Sequence, residues 1–103
     1  METLVNNTQI LETNAEGYLM DYNDWTPEWA KEVATGLNIN LTDKHWEVIN
    51  WLRQKEEEKV ALSIRKVGHS GIVDIKQFYQ LFPGAPLKNA SKIAGIKKPV
   101  SCI

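Results

Sequence analysis

The chain is poor in the residues that build metal centres, disulfides and nucleophilic active sites. Among its 103 residues there are one cysteine, Cys102, and two histidines, His45 and His69. A single cysteine excludes an intramolecular disulfide, which agrees with a reducing compartment. No pair of these residues has the short spacing of zinc ligands, and no glycine-rich phosphate loop occurs. We therefore predict neither a metal site nor another cofactor, and we expect His45, in the first turn of a predicted helix, to cap that helix or lie at the surface.

Long apolar runs are also lacking. No stretch approaches the roughly 18 apolar residues of a membrane-spanning helix. The N-terminal ten residues have neither a basic region nor an apolar core, so no secretory signal is expected. The default prediction is one compact cytoplasmic domain without membrane association, since 103 residues are too few for two domains.

Charge of one sign is missing at each end of the chain, although the formal net charge is only −1. Residues 1–30 contain no Lys or Arg, and residues 84–103 contain no Asp or Glu. The basic C-terminal region carries Lys88, Lys92, Lys97 and Lys98. Such a region suits an acidic partner surface or a polyanion. A solvated tail kept soluble by its lysines is an equally good alternative.

Local patterns predict a mainly α fold: a small orthogonal helical bundle with an N-terminal β-hairpin and a flexible C-terminal arm. The hairpin is expected over residues 9–20, around an Asn- and Gly-rich turn at residues 14–17. Hydroxyl caps, prolines at the first helical position and apolar spacing predict four helices. The first helix is expected to begin at Thr26-Pro27 and the second at Thr42-Asp43. The third follows an apolar face from Ile75 to Phe82, and the fourth runs from Pro86 to a stop near Gly95.

Two groups of residues invite a functional interpretation that their spacing does not favour. Trp25, Trp29, Trp46 and Trp51 resemble a stacking platform, but in a small helical domain core packing is favoured. The paired carboxylates of residues 56–58 lie in a charged, solvated helix end. The sequence therefore gives no support to a hydrolytic active site.

The position of Cys102 distinguishes it from a structural thiol. A buried structural cysteine normally falls on a helix face or strand, whereas residues 96–103 have no helical pattern and contain Pro99. A thiol near the tip of an arm can enter another protein's active site, and its thiolate is a nucleophile. The chemistry that suits it is acceptance of a sulfur atom as a persulfide, followed by transfer to a recipient. An incidental surface thiol is the alternative.

The C-terminal sequence resembles the characteristic ending of the DsrC/TusE family. The matching residues are Lys92-Ile-Ala-Gly95, then Lys98-Pro99, then Cys102 as the penultimate residue. Upstream, Glu16-Gly-Tyr-Leu19 and His45-Trp-Glu-Val-Ile49 also match, so the resemblance covers nearly the whole chain.

This resemblance implies a helical domain with its hairpin over residues 1–95 and a mobile arm over residues 96–103. It implies that Cys102 is the reactive cysteine and that Lys92 and Lys98 match basic tail positions, beside which Lys97 adds a further binding charge. The implied function is a sulfur relay by a sulfurtransferase-type carrier, and tRNA 2-thiolation is one such pathway. The implied partners are an upstream sulfurtransferase of the TusBCD/DsrEFH-like kind and a downstream sulfur acceptor or a sulfite-reductase-type complex.

The sequence departs from the family pattern in two places. Ser91 stands where two-cysteine members carry a second arm cysteine, so a disulfide with Cys102 is excluded and the chain is more similar to the single-cysteine TusE form. Between Val60 and Lys76 the chain is several residues shorter than typical members.

Two other functions remain as alternatives. A DsrC-related binding or regulatory subunit would dock on a sulfite reductase or another sulfur-metabolism complex without two-cysteine redox chemistry. A helix-turn-helix regulator is also compatible with short helices, but direct nucleic-acid binding is not expected because phosphate contacts need more positive surface.

Overall fold

Five α-helices dominate the part of the chain that the structure describes, residues 13–98 of a computed structural model. A 3-10 turn at Tyr22–Asp24 precedes the first helix. The helices are α1 Pro27–Gly36, α2 Asp43–Glu57, α3 Ile64–Gly68, α4 Ile75–Leu81 and α5 Pro86–Ile93. The mainly helical prediction is confirmed.

In three of these helices the residue before the first turn caps it with its own side chain. The Thr26 hydroxyl accepts a hydrogen bond from the Trp29 amide at 3.1 Å, and the Ser63 hydroxyl accepts one from the Lys66 amide at 3.1 Å. The Asp74 carboxylate does the same for the Gln77 amide at 2.7 Å. Each bond satisfies a donor that the first turn of a helix leaves without a partner.

Left-handed residues end three helices. Asn38 after α1 and Lys59 after α2 each have φ of 60°, and Gly95 after α5 has φ of 70°. The second residue after α1, not Gly36, thus turns the chain, and asparagine tolerates this conformation better than most residues. Asn38 and Lys59 thus turn the chain between consecutive helices, and Gly95 turns it after α5.

The last helix, α5, lies at the centre of the packing. It contacts α1, α2 and α4, while α3 packs on α4. Leu87, Ala90, Ser91 and Ile93 of α5 are buried. The largest fully buried apolar residues of the core are Val48, Ile49, Leu52, Val67, Phe78, Phe82, Leu87, Ile93 and Ile96. Contacts with three other helices therefore fix the position of α5 in the core.

The predicted N-terminal β-hairpin is not supported. Residues 9–12 lie outside the described part of the chain, and within residues 13–20 there is one isolated antiparallel bridge, Thr13 to Leu19. The Asn14 side-chain oxygen accepts hydrogen bonds from the Glu16 amide at 2.9 Å and the Tyr18 amide at 3.0 Å. This local bonding closes the turn without a ladder of strand hydrogen bonds.

The segment between Val60 and Lys76 contains a helix, α3, that the sequence patterns did not predict. Its five residues are too few to show a helical period. Ile64 and Val67 are nevertheless buried, so this segment contributes to the core.

The four tryptophans lie at the edge of the core. All are partly buried, and Trp25, Trp46 and Trp51 pack against the core cluster. Within residues 13–98, no helix is both long and apolar enough to cross a membrane.

Candidate functional site at the end of helix α5

Residues 94–98 connect the end of α5 to the surface, and we call them the exit segment. Gly95 donates its amide to the Lys92 carbonyl at 3.2 Å, and Ile96 donates to the Ser91 carbonyl at 3.1 Å. This bonding pattern, with its left-handed glycine, is the Schellman motif of helix ends. Ile96, the first residue of the predicted arm, is only 2% exposed and belongs to the core. The chain therefore reaches the surface at Lys97.

Three side chains donate hydrogen bonds to three consecutive carbonyls at the end of α5. Trp29 Nε1 donates to the Lys92 carbonyl at 3.1 Å, and Trp25 Nε1 donates to the Ile93 carbonyl at 2.9 Å. Arg53 Nη1 donates to the Ala94 carbonyl at 2.8 Å. We call Trp25, Trp29 and Arg53 the exit clamp. The Ile93 and Ala94 carbonyls lie at the helix end, where partners within the helix are lacking, and Trp25 and Arg53 satisfy them. The Lys92 carbonyl, which also accepts from the Gly95 amide, gains a second donor in Trp29.

The guanidinium of Arg53 is held between two aromatic rings. Its central carbon lies 3.9 Å from the centre of the Tyr22 ring and 4.2 Å from that of Trp25. Arg53 Nη2 also donates to the Tyr22 carbonyl at 3.3 Å. A planar cation between ring faces combines stacking with hydrogen bonding, which a lysine does not reproduce. Burial lowers the pKa of Arg53 from its usual value, and an arginine guanidinium is charged in proteins at neutral pH.

Tyr22 completes this arrangement from the 3-10 turn. Its hydroxyl lies 2.8 Å from Glu57 Oε2 and 3.1 Å from the Arg53 carbonyl, and it donates toward these acceptors. Burial and the bond to Glu57 raise the pKa of Tyr22, so the hydroxyl keeps its proton. The 3-10 turn, α2 and the end of α5 are thereby joined through one arginine.

Two of the predicted basic residues meet at the turn of residues 14–17. Lys98 Nζ donates to Glu16 Oε2 at 2.9 Å, and Lys92 Nζ lies 5.2 Å from the centre of the Tyr18 ring. The hydrogen bond from Lys98, with the positive charges of Lys98, Lys88 and Lys92, lowers the pKa of Glu16. One carboxylate thus sits among three ammonium groups on this face.

Lys97 and Lys98 also border a cavity of about 250 Å³ beside the end of α2. Its remaining lining residues are Glu56, Lys59, Val60, Ala61 and Leu62. The cavity combines an apolar floor with three lysines and one glutamate. Lys92, Lys97 and Lys98 therefore line one continuous side of the molecule, from the turn of residues 14–17 to the end of α2.

Cys102, the predicted reactive residue, lies outside the described residues. Ser91, which stands where two-cysteine members of the family carry their second cysteine, has no exposed surface, and its hydroxyl has no hydrogen-bond partner.

His45 is buried: its Nδ1 accepts from the Thr42 amide at 3.0 Å, so its Nε2 donates to the Leu81 carbonyl at 2.8 Å. It caps α2, as expected. Within residues 13–98 no three His, Cys, Asp or Glu side chains form a group able to hold a metal ion.

Sequence patterns did not identify the exit clamp. Arg53 falls on the apolar face of α2 with Ile49 and Leu52. Because a buried arginine nearly always has partners, its position on this apolar face was the one feature of the sequence that could have indicated the clamp. Its partners lie 31 and 41 residues away, beyond the range of local patterns.

A family model described as DsrC like protein matches residues 5–103. The chain belongs to the DsrC-like family. Sulfurtransferase TusE from Photorhabdus laumondii subsp. laumondii is 38% identical over 112 aligned positions, covering 100% of both chains. The family resemblance inferred from the C-terminal motif is confirmed.

Solved structures of the family share this fold. DsrC from Allochromatium vinosum is 37% identical, with a TM-score of 0.76, covering 90% of each chain. The oxidised gamma-subunit of the dissimilatory sulfite reductase (DsrC) from Archaeoglobus fulgidus is 30% identical, with a TM-score of 0.76, covering 90% of this chain and 92% of that one. With one cysteine, this DsrC-like chain has the single-cysteine composition expected of the TusE form.

Proposed function

We propose that this DsrC-like protein is a sulfur-relay protein that accepts persulfide sulfur on Cys102 and passes it to a downstream acceptor. The observation that carries the proposal is the full-length similarity to a sulfurtransferase TusE, at 38% identity. The chain has one thiol, so Cys102 is the only side chain able to form the persulfide.

The proposed chemistry is two successive exchanges at sulfur. The Cys102 thiolate attacks the outer sulfur of a donor persulfide; the S–S bond of the donor breaks, and the donor leaves as a thiolate with the electron pair. A nucleophile of the acceptor then attacks the terminal sulfur and releases Cys102 as a thiolate. Each step forms one bond and breaks one, so no external oxidant or reductant is needed.

The basic side of the molecule suits protein partners with acidic surfaces. Lys97 and Lys98 are exposed at the point where the chain leaves the core, and Lys92 lies half-buried on α5 beside them. In this proposal residues beyond Ile96 act as a mobile arm, and the three lysines guide it to its partners. The partners would be a TusBCD/DsrEFH-like sulfurtransferase as donor and a cytoplasmic acceptor, with tRNA 2-thiolation as one candidate pathway.

Intact-mass measurement tests this function. The reduced protein would be incubated with a persulfide-loaded sulfurtransferase, beside Cys102→Ser and a control, Ser101→Ala, that keeps the thiol. We expect a gain of one sulfur atom in the native protein and the control, absent from Cys102→Ser. Dithiothreitol must reverse the gain, because addition of two oxygens has nearly the same mass and is not reversed. No gain on a thiol shown to be free and accessible would contradict the proposal.

The second candidate is a binding or regulatory subunit of a sulfite-reductase-type complex. The observation in its favour is the 30% identity to the sulfite reductase gamma-subunit over most of both chains. Ser91 is compatible with this role because docking needs no second thiol. Co-purification with such a complex, unchanged in Cys102→Ser, would support docking. Sulfur loading of the native protein that Cys102→Ser abolishes, without any stable complex, would support the relay.

A further inference from the structure

We propose that Trp25, Trp29 and Arg53 are positioning residues that fix the direction in which the chain leaves the body, and thereby the region that Cys102 can reach. This inference rests on the proposed sulfur relay and adds to it. In this inference the exit clamp affects sulfur transfer between proteins by orienting the chain that carries Cys102, and it does not contact the reacting sulfur atoms.

The first argument is the number of donors at the end of α5. The Schellman motif satisfies the Ser91 and Lys92 carbonyls through backbone amides alone. The carbonyls of Ile93 and Ala94 would then face water, as they do at most helix ends, and such ends fray. Here an indole and a guanidinium bond them at 2.9 Å and 2.8 Å, and a second indole reinforces the Lys92 carbonyl. Every carbonyl from Ser91 to Ala94 has a protein partner.

The second argument is that the donors themselves are immobilised. Arg53 lies on α2 directly after the fully buried Leu52, and two rings cover its guanidinium. Trp25 packs against the core and Trp29 lies on α1, the helix next to α5. The clamp therefore ties the exit segment to α1, α2 and the 3-10 turn at once. Rotation of the last turn of α5 would break bonds to all three.

The third argument is the length of chain beyond the clamp. Ile96 is buried and Lys98 bonds Glu16, so the remaining chain is counted from Lys98. Cys102 follows Lys98 by four residues, which span at most about 14 Å when extended. A change of about 30° in exit direction would displace the end of an extended segment of this length by about 7 Å. Transfer of sulfur needs the two sulfur atoms near van der Waals contact, so small errors of position cost large factors in rate.

The direct test uses the single thiol as a labelling site. A nitroxide attached to Cys102 would broaden the resonances of nearby body amides, which report where the label spends its time. Trp25→Phe and Trp29→Phe each remove one indole N–H and keep an aromatic ring; Arg53→Lys keeps the charge and loses the planar donor. Trp51→Phe is the matched control, since Trp51 lies on α2 and its ring faces Lys55 at 5.7 Å. We expect an altered set of broadened amides in the three clamp variants and the native set in Trp51→Phe.

A kinetic measurement connects position to transfer. With persulfide-loaded sulfurtransferase as the donor, we expect the clamp variants to lose about fivefold or more in the second-order rate of sulfur loading. Alkylation of Cys102 by iodoacetamide, a small reagent that needs no docking, should stay at the native rate. A change in the thiol itself would alter both rates, and a change in position alters only the first.

The outcomes separate this inference from the proposed function. Absence of sulfur loading in the native protein would overturn the relay, and the positioning inference with it. With loading intact, a native pattern of broadened amides in all three folded clamp variants would overturn the positioning inference alone. An altered pattern of broadened amides, with an unchanged rate of sulfur loading in the clamp variants, would also overturn it. Amide spectra establish folding first, and Trp29→Phe, which removes one bond from a carbonyl that has a second donor, is the variant least at risk of unfolding.

Discussion

Gly95 meets two requirements at one position, a left-handed backbone and the close approach of an indole. Its φ is 70°, and an added Cβ atom would lie 2.8 Å from both Cβ and Cγ of Trp25. The ring cannot move away without breaking its hydrogen bond to the Ile93 carbonyl. A side chain here would therefore disturb the backbone turn and the clamp together.

Gly95→Ala should lower the free energy of unfolding by about 2–4 kcal/mol, combining backbone strain with overpacking. Gly71→Ala is the control, because Gly71 has φ of 87° and open space around its Cα. That variant should lose only the backbone contribution, about 1 kcal/mol. Urea unfolding measures both, and equal losses would show that Trp25 does not restrict position 95.

Ser91 is a buried polar residue without compensation. Because its hydroxyl has no partner, Ser91→Ala should raise the free energy of unfolding by about 1 kcal/mol. Thermal and urea unfolding of the variant would detect this gain. A loss of stability would mean that the hydroxyl has a partner, such as an internal water, in solution.

Glu16 should report the ion pair at the exit segment. Its pKa lies below the usual 4.5 mainly because Lys98 donates a hydrogen bond to it. A carboxyl with a lowered folded-state pKa stabilises the pair above about pH 4.5 and loses that effect as pH falls through the lowered value. In Lys98→Gln we expect the pKa of Glu16 to rise, measured by NMR titration of its carboxyl carbon. Lys31→Gln, on α1, should leave it unchanged.

At the scale of the element, α3 is the helix with the least support. It has five residues, and the Ser63 hydroxyl is its one side-chain cap. Its buried residues, Ile64 and Val67, attach it to the core. Short helices depend on tertiary packing and caps because they contain few internal hydrogen bonds.

Ser63→Ala should therefore lower the free energy of unfolding by about 1 kcal/mol, and Ser63→Asp should restore most of it, since aspartate is as good a cap. Denaturant unfolding gives the magnitude, and amide exchange at Lys66 locates it. Faster exchange elsewhere with none at Lys66 would contradict the assignment of the effect to the cap.

Sequence patterns predicted the helices that carry local signals and failed where those signals are weak or absent. Thr26-Pro27 and Pro86 marked the starts of α1 and α5, and Gly95 marked the end of α5. The Asn- and Gly-rich turn at residues 14–17, with β-favouring residues beside it, predicted a hairpin. In the structure the Asn14 side chain instead bonds amides that a strand would otherwise use. The family ending pointed to Cys102 and the lysines, while the exit clamp consists of contacts between distant residues and leaves no local pattern.

At the scale of the whole molecule, charge is separated along the chain, with an acidic N-terminal third and a basic C-terminal end. The structure places Lys97 and Lys98 on the surface where the chain leaves the core. A localised basic region of this kind affects how fast a partner is found more than how tightly it is held.

Lys97→Glu should slow association with an acidic sulfurtransferase roughly tenfold at low salt, with little effect on dissociation. The difference should shrink as ionic strength rises, because screening shortens the range of the charge. Stopped-flow mixing over a salt series measures this, with Lys76→Glu on α4 as the control for net charge. An equal effect of both variants would assign the change to net charge and not to the region around the exit segment.

The bonds of the exit clamp also have a consequence for folding. They join residues 41, 63 and 68 positions apart, so each closes a long loop of chain. Contacts of high sequence separation form late, after local helices and collapse. During synthesis the carbonyls of Lys92, Ile93 and Ala94 emerge after all three of their donors. Under the proposed sulfur relay, a chain in which these bonds have not yet formed has no fixed exit direction for its thiol, so transfer would begin only once the fold is complete.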